Sequence, residues 1–434
     1  MDAKPASSVT GIRILVGLCI AVIVGGVAWP AWDMFGSARR PMLQGWDDSF
    51  YYFWLPSVVI DHDIDFTNQL AHSGTIDPSM RDLALTLPRT PTGLLENKYP
   101  PGWALSSLPF FLLAHLFAPE SSTGFEPVYL VSVWLGQLWY AIVGVWLATK
   151  ILTRYFSAPT AVVAALTGWL ASPMVYYQTA RLSMSHSVVF TLAMAVFWIA
   201  LRIRDGETRP RWWILLGFLS ALLVVTRNVA VVYLAMPGWI VIRKLHAAAI
   251  PRIAWLLLGA ALPLVLQMIA WKLLHGSWIA YSYGGERFDF GNLHLFEILF
   301  SPLHGWFYWH PITAIAIAAF VVWAANRAEG RAWSISLVVM VVLSAAWPTW
   351  WLGSSFGYRG LEVATLFVMI GIAMLLDVVH RHRALRIIVS GVIGVAIVWN
   401  LALLMLFLTQ RIPREAPVTH GQAARALLDW LANR

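Results

Sequence analysis

The sequence is short of charge and almost without cysteine. Asp, Glu, Lys and Arg make up 12% of its 434 residues against 59% hydrophobic, and the mean hydropathy of +0.67 lies far outside the range of water-soluble domains. That leaves no stretch polar enough for a separate soluble domain. The single cysteine, Cys19, lies inside the first apolar segment, so a disulfide within the chain is excluded and a cysteine-based metal site has no ligands. There is no long repeat, low-complexity tract or linker. The formal charge of +8 could suggest nucleic acid, but the basic residues are dispersed through short loops between apolar segments. A membrane topology explains them, and no nucleic-acid partner is expected.

What is there in abundance is apolar segments near 20 residues long, the length that crosses a bilayer. They recur at about 14–31, 128–149, 159–177, 185–201, 212–226, 229–242, 253–272, 306–325, 333–350, 361–379 and 387–409. The fold class expected is therefore an all-α polytopic membrane protein of about eleven transmembrane helices, forming a single transmembrane domain over 1–434. The first segment reads as a retained signal anchor. Under this count Lys150/Arg154, Arg202/Arg204/Arg209/Arg211, Arg243/Lys244/Arg252, Arg327/Arg331 and Arg381/Arg383/Arg386 share a side with Lys4 and Arg13. That side is cytoplasmic by the positive-inside rule.

The one long loop, 31–127, then lies outside, and a connection of that length carries structure or function of its own. Residues 46–60 are apolar enough for an interfacial helix. "PPGWALSSLPFFLLAHLF" at 100–117 reads as a second, juxtamembrane one opened by prolines. A short tail, 410–434, closes the chain. The adjacent carboxylates of "GWDDSFYYFWLP", Asp47 and Asp48, fall on the outer face with five other polar stretches: "ENKYPPG" (96–102), "TARLSMSHS" (179–187), "TRN" (226–228), "SPLHGWFYWHP" (301–311) and "SSFGYRG" (354–360); "YSYGGERFDF" (281–290) joins them.

Charges at membrane depth cost about 2.5–3.5 kcal/mol each on insertion scales and persist where they work. Each cluster alone could equally be interfacial anchoring. An acidic pair at a helix start is also a common dipole or capping device. If the pair is functional, two neighbouring carboxylates repel, so one is expected to have a raised pKa unless a cation or metal is nearby, while the other stays ionised as a general base. "DHDID" (61–65) reads as a solvated loop face rather than a metal site. Lys98, Arg181, Arg227, Arg287 and Arg359 are isolated cations near apolar segments. Arginine suits bidentate phosphate recognition and lysine point-charge neutralisation. His186 and His304 could hydrogen-bond a phosphate or a substrate hydroxyl.

The ordered set "WDDSFYYFWLP", "ENKYPPGWALSSLPFF", "TRN", "FSPLHGWFYWHP" and "WWLGSSFGYRG" resembles the bacterial members of the GT-C superfamily of membrane glycosyltransferases, which include the aminoarabinose transferase of lipid A and the protein O-mannosyltransferases. The resemblance covers about residues 45–360. It implies a GT-C-like bundle of helices and an inverting enzyme that takes a sugar from a polyprenyl-phosphate donor to a lipid, glycan or protein acceptor. The active site would face the periplasm or exterior of the cytoplasmic membrane. It also implies Asp47 as the base, with Asp48 in the second position of the acidic pair, and Lys98, Arg227 and Arg359 toward the donor phosphate, where His186 and His304 are further candidates. Tyr99 stands between Lys98 and the paired prolines, a departure from the family's spacing. No cofactor is implied, and a divalent metal is not favoured because cations can neutralise the phosphate. The competing reading is a secondary transporter or flippase of lipid-linked sugars, which would place its polar residues at the bilayer midplane.

Overall fold

A computed structural model describes residues 6–36, 43, 45–76, 80, 86–244 and 249–433, and the chain is helical throughout. Among the described residues the nearest thing to a strand is an isolated bridge between Arg89 and Leu95. The helices that matter here are α1 (Ala6–Gly36), α2 (Trp46–Pro56), α3 (Thr67–Ile76), α4 (Gly102–His115), α5 (Pro127–Leu152), α6 (Ala158–Leu170), α7 (His186–Arg204), α8 (Pro210–Thr226), α9 (Ala235–Lys244), α10 (Ala249–His275), α11 (Pro311–Ala325), α12 (Ala328–Ala345), α13 (Thr365–Val379), α14 (Arg383–Leu408) and α15 (His420–Ala432).

Among the described residues, seven segments are long and apolar enough to cross a bilayer: Thr10–Ala28, Pro127–Leu152, His186–Arg204, Ile250–His275, Ala328–Ala345, Arg359–Val379 and Arg383–Leu408. Ala158–Leu170, Pro210–Thr226 and Pro311–Ala325 are shorter apolar helices. The protein is a multi-pass helical membrane protein. Its helices expose rows of Leu, Ile and Val, among them Leu257, Leu258 and Leu262 of α10 and Ile387, Ile388 and Val395 of α14. Such faces would be liabilities in water but are ordinary against lipid.

Nearly every expected span coincides with one of these helices. The exception is 229–242, which folds as a 3-10 turn, Asn228–Leu234, running into α9. Arg227, at φ −152° and ψ 109°, breaks the helix after Thr226. Pro237, lacking a backbone N–H, sits in the first turn of α9, where that loss costs nothing. The two helices expected in the long loop are α2, prolonged by a π turn at Ser57–Asp61, and α4. The tail carries α15, opened by a capping box in which Thr419 and Gln422 satisfy each other's backbone N–H.

The chain forms two compact units. The first holds Met1–Ile23, Val145–Tyr176 and Glu286–Arg434; the second holds Val24–Gly144 and Tyr177–Gly285. In the first unit α13 packs against α6 and α11. Phe320 of α11 and Phe367 of α13 stack at 4.8 Å. The buried Asn400 of α14 donates to the carbonyls of Leu170 and Ser172, at 2.6 and 3.0 Å. In the second unit α7 is the enclosed helix, with α8 and α9 against it and α10 against α8.

The approach of α8 and α10 is set by a reciprocal pair of glycines. A Cβ on Gly217 would lie 1.9 Å from the Leu256 carbonyl oxygen, and one on Gly259 would lie 1.9 Å from that of Ile214. Gly371 plays the same part between α13 and α11, where a Cβ would come 1.8 Å from the Ala316 oxygen. Close backbone approach through small residues is how helices gain packing energy where lipid gives no hydrophobic drive. Gly217→Ala and Gly371→Ala should therefore each lower stability by about 1–3 kcal/mol through overpacking. Gly391→Ala, with nothing near its would-be Cβ, should stay within about 0.5 kcal/mol. Thermal unfolding of the three variants in one detergent checks the contrast.

Candidate functional site

Gly45 opens α2 at φ +104°, a conformation that side chains disfavour, and the first turn that follows carries Asp47 and Asp48. Adjacent residues on a helix point about 100° apart and do not face each other. The two carboxylates accordingly meet different partners. Asp48 is fully buried. It accepts from Arg181 Nε at 2.8 Å and Nη2 at 3.0 Å, a bidentate pair, and from Ser183 Oγ at 2.9 Å. Asp47 is half-buried and accepts from the hydroxyl of Tyr99. The cation that relieves the repulsion between the two carboxylates is Arg181: Asp48 belongs to an ion pair inside the fold, and Asp47 accepts from a phenol.

The segment "ENKYPPG" is pinned against α2. Asn97 Nδ2 donates to the Phe50 carbonyl at 3.0 Å, while Asn97 Oδ1 receives the Tyr99 N–H at 3.0 Å. Trp54 Nε1 donates to the Tyr99 carbonyl at 3.0 Å, and Ser282 Oγ to that of Lys98 at 2.9 Å. Lys98 Nζ lies 5.7 Å from the centre of the Tyr99 ring and 5.5 Å from that of Tyr283, so two aromatic faces hold the cation by their quadrupoles. Burial, and then the neighbouring Asp47, push the Tyr99 phenol well above the usual tyrosine range. It therefore remains a donor at any working pH.

The proline-glycine end of the same segment meets α8. A Cβ on Gly102 would sit 2.4 Å from the backbone of Val225 and Thr226, immediately before Arg227. Two sequence motifs 125 residues apart, ending in Lys98–Gly102 and starting at Arg227, are held together by that contact. Arg227 itself is half-buried. His186 begins α7, is buried, and lies with its ring 4.4 Å from that of Tyr177. Asp47, Asp48, Lys98, Arg227 and His186 all belong to the second unit.

His304 and Arg359 belong to the first. His304 is fully buried at φ 65°, with Nδ1 3.0 Å from the Trp351 carbonyl oxygen and Nε2 2.9 Å from that of Arg414. Burial lowers its pKa, while the two carbonyls oppose that shift. This geometry employs the ring as a tether between loops, in place of the phosphate contact expected of it. The tail adds further ties: Val418 N–H donates to the Pro302 carbonyl at 3.2 Å, and His420 stacks on Tyr308 at 4.2 Å. Arg359, half-buried, opens a 3-10 turn, Arg359–Ala364, that leads into α13. Just before it, Gly357 at φ +59° lies so close to His310 that a Cβ would come 2.1 Å from Nε2. No group of three or more His, Cys, Asp or Glu able to hold a metal occurs among the described residues.

Arg181, Ser183, Tyr99 and Tyr283 were not singled out as site residues by motif. Arg181 was visible as an isolated cation, and a buried carboxylate demands such a partner. Its pairing with Asp48, 133 residues away, had no local signal. Because Asp48 is fully buried and the Arg181 side chain only 16% exposed, removing either charge strands the other, at about 3–5 kcal/mol. Asp48→Asn and Arg181→Gln should each lose most of the folded protein recovered in detergent. The double variant should recover part of it, a non-additivity that a thermal-unfolding cycle measures.

No protein-family model matches the chain, and no curated protein matches it in sequence. Among solved structures it is similar to ArnT from Cupriavidus metallidurans in the apo state, at TM-score 0.55 and 15% identity over 98% of this chain and 70% of that one. It is also similar to the same protein bound to undecaprenyl phosphate, at TM-score 0.53 and 13% identity over 92% of this chain and 70% of that one. A third likeness, to an oligosaccharyltransferase of Archaeoglobus fulgidus, has TM-score 0.49 at 12% identity, covering 99% of this chain and 55% of that one. What this chain shares with ArnT is the fold, a polytopic helical membrane architecture.

Proposed function

We propose that the protein is a GT-C-type glycosyltransferase that moves a sugar from a polyprenyl-phosphate donor to an acceptor hydroxyl, with Asp47 as general base. The observation that carries the reading is the division of labour in the acidic pair. Asp48 is committed to Arg181 and Ser183, which leaves Asp47, half-buried and next to Lys98 through Tyr99, as the carboxylate placed to take a proton. The GT-C-like fold supports the reaction class. The undecaprenyl phosphate bound by the ArnT neighbour suggests the chemistry of the donor.

In this mechanism the phosphate is already a competent leaving group and needs no acid. The acceptor hydroxyl attacks the anomeric carbon as Asp47 draws off its proton; the C–O bond to phosphate breaks with its electron pair on the phosphate. One displacement inverts the anomeric centre. Lys98 and Arg227, in the same unit as Asp47, are the cations proposed to neutralise the departing phosphate, a developing charge that preorganised donors stabilise best. The acceptor is a lipid, glycan or protein hydroxyl on the outer side of the cytoplasmic membrane. A flippase or transporter would use helices broken at mid-span. Such a protein would leave the donor sugar untransferred.

Asp47→Asn keeps the side chain's size and can still accept from Tyr99, so the variant should fold. Transfer from radiolabelled undecaprenyl-phosphate sugars should fall by about 10²–10⁴-fold. Wild-type turnover at matched expression would sink the base assignment, and a wild-type protein that leaves every such donor intact would sink the enzyme reading. For Arg359 the probe is undecaprenyl phosphate itself. A bidentate phosphate contact is lost in both Arg359→Lys and Arg359→Ala, because lysine cannot reproduce the planar fork. An interfacial anchor would bind the probe equally well with lysine in its place.

A further inference from the structure

We propose that Tyr99 is the positioning residue of the Asp47 carboxylate: its phenolic O–H, held in place by the pinned backbone of residues 97–99, donates to Oδ1 and fixes the rotation of the group that takes the acceptor's proton. The sequence offers no hint of this. By family spacing Tyr99 is an interruption between Lys98 and the prolines, and its ring would pass for interfacial packing.

The geometry gives it a different weight. Tyr99 is held by backbone bonds at both ends of its own residue, the N–H to Asn97 Oδ1 and the carbonyl from Trp54 Nε1. Asn97 is in turn fastened to Phe50 of α2. The ring packs on Tyr51 at 4.7 Å and on Phe50 at 6.3 Å. Every one of these anchors except Asn97 lies on α2, the helix that carries Asp47. The phenol and the carboxylate therefore move as one body, and little conformational entropy remains to be lost when they meet. A carboxylate on a helix's first turn otherwise turns freely about χ2, a broad two-fold torsion, and a base misaligned with the attacking hydroxyl loses much of the rate that proximity supplies.

The bond has a second consequence. A hydrogen bond donated to an ionised carboxylate stabilises the charged form and lowers its pKa. Tyr99, whose own pKa is raised by burial and by Asp47, does not give the proton up. It keeps Asp47 ready to accept one at neutral pH although the site is half-buried. Removing the hydroxyl should let the Asp47 pKa rise. Activity, where it needs the ionised form, should then be lost at a higher pH on acidification than in the wild type.

The test reads Asp47 directly and needs no knowledge of the sugar. Carbodiimides modify protonated carboxyl groups, so labelling of Asp47, followed by peptide mass spectrometry across pH, reports its protonation midpoint in the intact protein in detergent. In Tyr99→Phe, which keeps the ring and its packing, the midpoint should rise by about one pH unit, a tenfold change in the protonated ratio, as expected for loss of one hydrogen bond to a charge. Tyr51→Phe, which removes a neighbouring hydroxyl that accepts from Ser185, should leave it in place. A midpoint in Tyr99→Phe equal to wild type would overturn the proposal and leave Tyr99 as packing. Should Tyr99→Phe not fold, a fluorinated tyrosine at position 99 preserves size and is a stronger donor. It should move the midpoint down, and an unmoved midpoint there overturns the proposal equally. The inference rests on Asp47 being the base, but the two fail separately. Active Asp47→Asn removes the base role whatever the midpoint does, whereas an unmoved midpoint removes Tyr99 whatever Asp47→Asn does.

Discussion

The ion pair between Asp48 and Arg181 is the constraint on which the candidate site depends. It fixes the first turn of α2 to the turn before α7, with Ser183 completing the shell around a carboxylate that water does not reach. Once Asp48 is fixed, the helix dictates where its neighbour points, and Asp47 is delivered to Tyr99 without any further device. A buried charge pair adds little to net stability, because desolvation of both ions offsets most of their attraction. Its value here is register: α2 has one orientation in which Asp48 meets Arg181, and a slip of one residue would bury Asp47 and expose its partner. Stability in this protein comes from elsewhere, from glycine-mediated helix crossings and aromatic packing.

That logic changes what an acidic pair means. Read as a string, two adjacent aspartates look like a dyad with a shared electrostatic problem. Read as a helix turn, they are two residues on different faces, and each can have its own chemistry. The dipole reading also survives in part, since both acids lie in the first turn of α2, where negative charge is favourable. It does not account for Asp48, whose carboxylate is spent on Arg181, or for a half-buried Asp47 bonded to a tyrosine whose backbone is pinned on both sides.

The spans were legible because hydropathy over 20 residues is a property of the chain alone. The same holds for α2 and α4 in the long loop, which are apolar and opened by glycine or proline. What could not be read was set by tertiary contact. The 3-10 turn at Asn228–Leu234 has a sequence as apolar as the helix that continues it, and such tight turns are used where the fold, rather than the local sequence, requires them. Arg181 finds Asp48 across 133 residues, and His304 finds the carbonyls of Trp351 and Arg414. A lone polar residue in an apolar chain announces that it has a partner without saying which. Tyr99 was the hardest to see, because an aromatic residue near a membrane has a sufficient explanation in interfacial packing, and only the bond to Asp47 gives it another.

Arg227 and Arg359 share a local setting, one in each unit: a half-buried arginine at the entrance of a 3-10 turn that leads into an apolar helix. A cation gains from a helix dipole at the C-terminal end and loses at the N-terminal end. Arg227, the C-terminal cap of α8, is therefore where helix electrostatics favours a cation, whereas Arg359, the first residue of its turn, is not. Of the two, Arg359 is the charge that the fold maintains against the local backbone dipole.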